Sequence, residues 1–160
     1  MRKALAVVVI LAWGLWFGGQ VALLLFVTRL FATSRDLASN AAPVLFAAFA
    51  GYQVVVGMVA CAAGTLLSLL SRRSIHALLT LLMLLALAAA LLVRGWTFEM
   101  NRLSRTDVQQ MRRFQTLHHR SEYAYSAATA ALLVAGIGLA LTSPASATRR
   151  PETEPETARA

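Results

Sequence analysis

The chain has 160 residues, of which 58% are hydrophobic and 14% charged, and its mean hydropathy is +0.64. A soluble domain carries about 25% charged residues, so the ordinary soluble globular class is excluded. The net charge of +8 does not indicate nucleic acid, because the cations fall in loops and at helix ends without a basic stripe of interleaved aromatics.

Asp, Glu, Lys and Arg are absent from residues 4–28, 41–70, 75–93 and 123–141. About 20 apolar residues carry a helix across a bilayer, so these four stretches predict four transmembrane helices in an antiparallel, up-down, all-α bundle. The first stretch follows Met1, Arg2 and Lys3, as a signal peptide would, but it runs on to Thr28. Trp13, Trp16 and Phe26 stand where a cleavage site needs small groups. A retained first span over about 4–28 is therefore expected.

The polar link 29–40 follows, with Asn40 as the expected cap of helix 2 and Pro43 in its first turn. Helix 2 is predicted over about 41–70. Ser71, Arg72, Arg73 and Ser74 then reverse the chain into helix 3, predicted over 75–93 and continuing to Phe98. Thr106 and Gln109 have the spacing of a capping box. After them Val108, Met111, Phe114, Leu117, Ser121 and Tyr125 recur every three or four residues. This predicts an amphipathic extension leading into helix 4, over about 123–141. The transmembrane domain thus covers 1–142, and the Ser-, Thr-, Pro- and Glu-rich tail 143–160 has too few apolar groups to fold.

With four spans, both termini share a side with the Arg72-Arg73 turn. Short loops and the first helix weigh most in orienting a chain, so Arg2, Lys3, Arg72 and Arg73 place that side in the cytoplasm. Fourteen of the fifteen cations are Arg; with the Ala and Leu content this suggests a GC-rich bacterial genome, and hence the bacterial inner membrane.

Few residues in the spans carry chemistry. Gly14 and Gly18, extended by Gly19, form a small-residue spacing on helix 1, and Ala60 and Gly64 repeat it on helix 2. Such spacings let backbones approach, which predicts packing inside the bundle or self-association. Gln20 and Gln53 are amides in hydrocarbon, expected to bond between helices or to line a substrate path. Met58 and Cys61 offer soft sulfur, and His118 with Glu122 offers a metal-ligating pair. Two ligands at one site do not define a specific metal centre. His76 and the His118–His119 pair fall on opposite sides of the bilayer, which excludes a shared haem. Ser121 follows His118 by three residues, but no carboxylate or glycine-rich elbow completes a nucleophilic triad.

Trp13-Gly14 and Phe17-Gly18-Gly19 in helix 1, Leu30-Phe31 at its end, Pro43-x-x-Phe46-x-x-Phe49 in helix 2 and Phe114-x-x-Leu117-His118-x-x-Ser121 before helix 4 form a pattern. It resembles the family of small four-span membrane proteins related to human transmembrane protein 205, whose bacterial branch is domain of unknown function 4149. The resemblance covers about 13–141. Many relatives carry a proline just past helix 3, where this chain has Asn101. The resemblance implies a four-helix membrane domain without an established enzymatic activity, and an association of the animal member with resistance to platinum drugs.

Together these observations predict a non-enzymatic membrane module without a cofactor. Its expected partners are the lipid bilayer and either a second copy or another membrane protein. The alternative is a carrier or tolerance factor for a soft metal or small hydrophobic compound. Gln20, Gln53, Met58 and Cys61 would line its path, with His118 and Glu122 at the mouth.

Overall fold

The computed structural model describes residues 1–104 and 106–142. The described residues form four helices: α1 (Arg2–Thr33), α2 (Arg35–Ser71), α3 (Ser74–Met100) and α4 (Val108–Thr142). All four are long and apolar enough to cross a membrane. The fold is an all-α four-helix bundle, and its length and composition are those of a multi-pass membrane protein.

Neighbouring contacts fix the antiparallel order. Gly19 of α1 faces Phe49 and Tyr52 of α2, while Gly57, further along α2, faces the earlier Trp16. Gly57 also faces Leu87 of α3, and Gly64 faces Thr80. Glu99 near the end of α3 pairs with Arg113 near the start of α4, and Leu79 lies against Gly138. The helices form a ring in chain order. Sequential pairs pack along most of their length, whereas α1 and α4 close the ring over a much shorter stretch.

Without a hydrophobic force between helices in lipid, close backbone approach supplies the attraction. The core is accordingly rich in alanine: Ala12, Ala60, Ala63, Ala86, Ala90, Ala128 and Ala135 are buried, and Trp16, Met83 and Leu132 fill the remaining space. Large aliphatic groups such as Leu24, Val55, Leu85 and Ile137 face outward, as a lipid-facing belt requires.

The helices overrun the charge-free stretches at both ends, and two caps differ from expectation. The 29–40 segment is helical except at Ser34, whose extended backbone breaks the run. Ser34 caps α2 by accepting from the Leu37 amide at 3.3 Å, and Asp36 adds charge favourable to the helix N-terminus. Asn40 is therefore inside α2 and does not cap it. Pro43 is also internal, past the first turn where it costs least. At α4 the cap is Asp107, not Thr106. Its Oδ1 accepts from the Gln109 amide at 2.7 Å and the Gln110 amide at 3.2 Å. Asp107→Ala should lower stability by about 1 kcal/mol, with Asp107→Asn retaining most of it, measured as thermal unfolding of the purified protein by circular dichroism.

The turn after α2 contains only Arg72 and Arg73, with Arg72 left-handed at φ 51° and its amide donating to the Ser68 carbonyl. α3 extends to Met100, and the Asn101 amide still donates to Thr97. The extension before the fourth span is continuous with it: α4 is one helix of 35 residues, about 52 Å long at 1.5 Å per residue. The tail 143–160 lies outside the described residues.

Candidate functional site

The conspicuous feature of the interior is a group of polar side chains in the half of the bundle nearer the α1–α2 junction. Gln20 and Gln53 are only 5% and 1% exposed. The Thr129 hydroxyl lies 2.8 Å from Gln20 Oε1 and 2.8 Å from the Tyr125 carbonyl. It has a single proton to donate, so the amide of Gln20 either accepts it or, turned over, donates to Thr129. One polar atom of that amide is left over in either orientation. This contact joins α1 to α4, the interhelical bond expected of an intramembrane amide; such bonds average about 0.6 kcal/mol in a membrane protein. Gln53 Nε2, Trp16 Nε1 and the Tyr125 hydroxyl are buried and have no partner among the described residues.

Toward the α3–α4 end, Thr97 and Ser121 continue the buried polar groups. At the other end of the bundle, Ser68 and Thr80 approach to 3.0 Å. Beside them lies a cavity of about 10 Å³ bordered by His76, Gly64 and Met83, room for roughly one water. Apolar packing of Val9, Met83, Cys61 and Leu132 lies between the two ends.

The sulfur pair does not share a face. Cys61 is in the core, whereas Met58 is 51% exposed on the outer surface of α2. The boundary between core and lipid passes between them, so Met58 does not line an interior path. His118 Nε2 and His119 Nδ1 approach the two oxygens of Glu122 at 3.3 Å and 3.1 Å. This cluster is exposed at the start of α4, far along that helix from Cys61's level, and is a surface contact between imidazole and carboxylate groups. His76, at the start of α3, is at the opposite end of the bundle.

The glycines divide in an unexpected way. A Cβ at Gly14 or Gly18 would meet nothing within 4 Å, which corrects the expectation that they hold helices together inside the bundle. Gly18 is exposed and Gly14 half-exposed. The close approaches are elsewhere. Gly19 faces Tyr52 and Phe49, Gly64 faces Thr80, and a Cβ at Gly57 would lie only 2.8 Å from the Trp16 ring. A Cβ at Gly136 would overlap the Trp13 ring, and one at Gly138 would overlap Leu79. Ala60, predicted with Gly64, is fully buried.

No protein-family model, curated protein or solved structure matches the chain.

The residues of the sequence pattern serve two ends of the bundle. Trp13 donates from Nε1 to the Leu132 carbonyl at 2.7 Å and stacks on Phe17, closing α1 onto α4. Leu117 and Ser121 are buried, with the Ser121 hydroxyl donating to the Leu117 carbonyl at 2.9 Å. Phe114 stacks on the His118 ring. The Ser121 hydroxyl is thus engaged with its own helix.

Gly57, Gly136, Gly138 and Thr129 were not singled out from the sequence, and Tyr125 entered only as a position in the amphipathic repeat before helix 4. Tyr125 and Thr129 recur one turn apart within a span, a usable signal for a polar face. Gly136 gave none, because its role depends on an indole more than 120 residues away.

Proposed function

We propose that the chain is a non-enzymatic membrane module that associates with a second copy of itself through the outer face of α1. The observation carrying this reading is that Gly14 and Gly18 are bare toward the outside of the bundle. Glycine within a helix costs roughly 0.5–1 kcal/mol relative to alanine, and neither glycine relieves a contact within the chain. In lipid, a bare backbone strip gains by meeting another helix at close range. Leu11, Leu15, Ala22 and Leu25 continue the same ridge at spacings of three and four and are exposed. They supply the flanks of a shallow groove.

Replacing both glycines with leucine fills that groove and disturbs nothing within the bundle. The double variant should migrate as a monomer in mild detergent, with thermal stability equal to or above wild type. Gly19→Leu, which collides with Phe49 and Tyr52, should instead reduce folded yield. A wild type that is already monomeric by light scattering and in single-molecule photobleaching in liposomes would overturn self-association. A different membrane protein co-purifying through the same face would replace the second copy as partner.

The same reading places the module in a bacterial inner membrane with both termini cytoplasmic, supported by Arg2, Lys3, Arg72 and Arg73 on one side. A C-terminal green fluorescent fusion should be bright and an alkaline-phosphatase fusion inactive; the reverse pattern inverts the orientation. Membership in the family related to human transmembrane protein 205 belongs to this proposal, supported by Trp13, Phe114, Leu117, His118 and Ser121 at their spacings.

A further inference from the structure

Among the described residues, the buried side-chain polar atoms without a partner are Trp16 Nε1, Gln20 Nε2, Gln53 Nε2 and the Tyr125 hydroxyl, and a chain of contacts links the residues that carry them. Trp16 and Gln20 are one turn apart on α1. Gly57 touches the Trp16 ring, and Gln53 precedes Gly57 by one turn on the same face of α2. Thr129 meets Gln20, and Tyr125 precedes Thr129 by one turn on α4. The Tyr125 ring also faces Phe46, at 6.4 Å between centroids, two turns from Gln53 along α2.

A buried hydrogen-bonding group left unmade costs about 1–3 kcal/mol, and the hydrocarbon core has no solvent to serve it. Leu, Met and Phe would fill the same volumes without that cost. Packing therefore accounts for the volumes of these side chains but not for their unpartnered polar atoms. The indole and the Gln53 amide nitrogen can only donate, and the tyrosine hydroxyl can donate, whichever way the Gln20 amide is turned. The spans contain no Asp, Glu, Lys or Arg, so an anion held here would lack a countercharge. The complementary group is a neutral oxygen acceptor.

The α1–α4 seam is the least tightly packed boundary of the ring. α1 and α4 are the one adjacent pair in the ring that are not consecutive in the chain, and they meet over the shortest stretch. Gln20 and Thr129 meet across that seam, just beneath its surface.

We propose that Trp16, Gln20, Gln53 and Tyr125 form a binding site for a neutral, lipid-soluble carbonyl compound that enters from the bilayer between α1 and α4. Two sources share this chemistry: the ring carbonyls of a quinone and the ester carbonyls of a glycerolipid. The site is separate from the Gly14–Gly18 face, so the leucine double variant leaves binding unchanged.

The test uses the full chain in nanodiscs of ether-linked lipid, which has no ester carbonyl, titrated with a decyl-substituted benzoquinone. The thermal midpoint and the quinone retained per protein after gel filtration are the readouts. Wild type should show saturable stabilisation and near-stoichiometric retention. Gln53→Met should weaken both by about tenfold or more, equivalent to about 1.4 kcal/mol, while its unliganded midpoint equals or exceeds wild type. Tyr125→Phe, which removes a single hydroxyl, should weaken binding in the same direction and covers the case in which Gln53→Met folds poorly. Stabilisation that arises only on exchange into ester-linked lipid, and is lost in the two variants, assigns the site to a glycerolipid carbonyl. Equal responses of wild type and both variants to quinone and to ester lipid would overturn the proposal and leave these groups to bound water.

Discussion

Gly136→Val should open the α1–α4 seam and lower stability by about 2–4 kcal/mol, the sum of an overpacked contact and a lost hydrogen bond. Even the first carbon of a side chain at position 136 overlaps the Trp13 ring. That ring cannot simply swing aside. Its Nε1 donates to the Leu132 carbonyl at 2.7 Å, and its face stacks on Phe17 with an interplanar angle of 7°. Moving the indole therefore breaks both contacts, in the one helix pair with little else to hold it. Of the cross-seam contacts, Gln20 with Thr129 is the remaining hydrogen bond among the described residues. Thermal unfolding of Gly136→Val, Trp13→Ala and the double variant forms the appropriate cycle. If the overlap is the cause, the double variant loses less stability than the two single losses combined, since truncating Trp13 makes room for the valine. Strict additivity would mean that Gly136 matters for its own helix and not for the seam.

The bundle was legible because a charge in a span is costly and its absence is easy to see. Four uncharged stretches separated by Arg-bearing links sufficed for four helices and their alternation. Helix ends were less legible. Asn40 and Thr106 are acceptable caps by residue type, yet Ser34 and Asp107 hold those positions. Composition does not reveal that the chain stays helical through polar residues 35–40, where burial of Ala38 and Ala42 and the Ser34 cap offset the loss of apolar content. For the interior, Gln20 and Gln53 stood out as amides in hydrocarbon. Which way a residue faces was harder. Gly14 and Gly18 have the spacing of a packing motif, but spacing does not say whether the partner helix belongs to the same chain. Met58 and Cys61 are three residues apart and fall on opposite sides of the lipid boundary. Trp13 over Gly136 and Thr129 against Gln20 join α1 to α4 across more than 100 residues, beyond the reach of any local pattern.

Trp16 makes the second large effect. Its side chain is wholly buried, spanning from α1 to Gly57 of α2 beside Leu87 of α3, and it is the largest group in the core. Trp16→Ala removes an indole that packs against Gly57, a residue with no side chain to move into the space left behind. Large-to-small losses of this kind cost about 3–5 kcal/mol, rising with the cavity left behind. In lipid the transfer part of that cost shrinks, because the unpacked helix face meets hydrocarbon and not water, so the lower end of the range is expected. Trp16→Phe separates volume from hydrogen bonding. It keeps most of the packing and deletes a buried N–H without a partner, so its unliganded stability should lie within about 1 kcal/mol of wild type, far above that of Trp16→Ala. Thermal midpoints followed by far-ultraviolet circular dichroism give the comparison without relying on tryptophan emission. Equal losses in both variants would mean that the indole N–H is satisfied in the native state, and packing at Gly57 would then no longer be the source of Trp16's contribution.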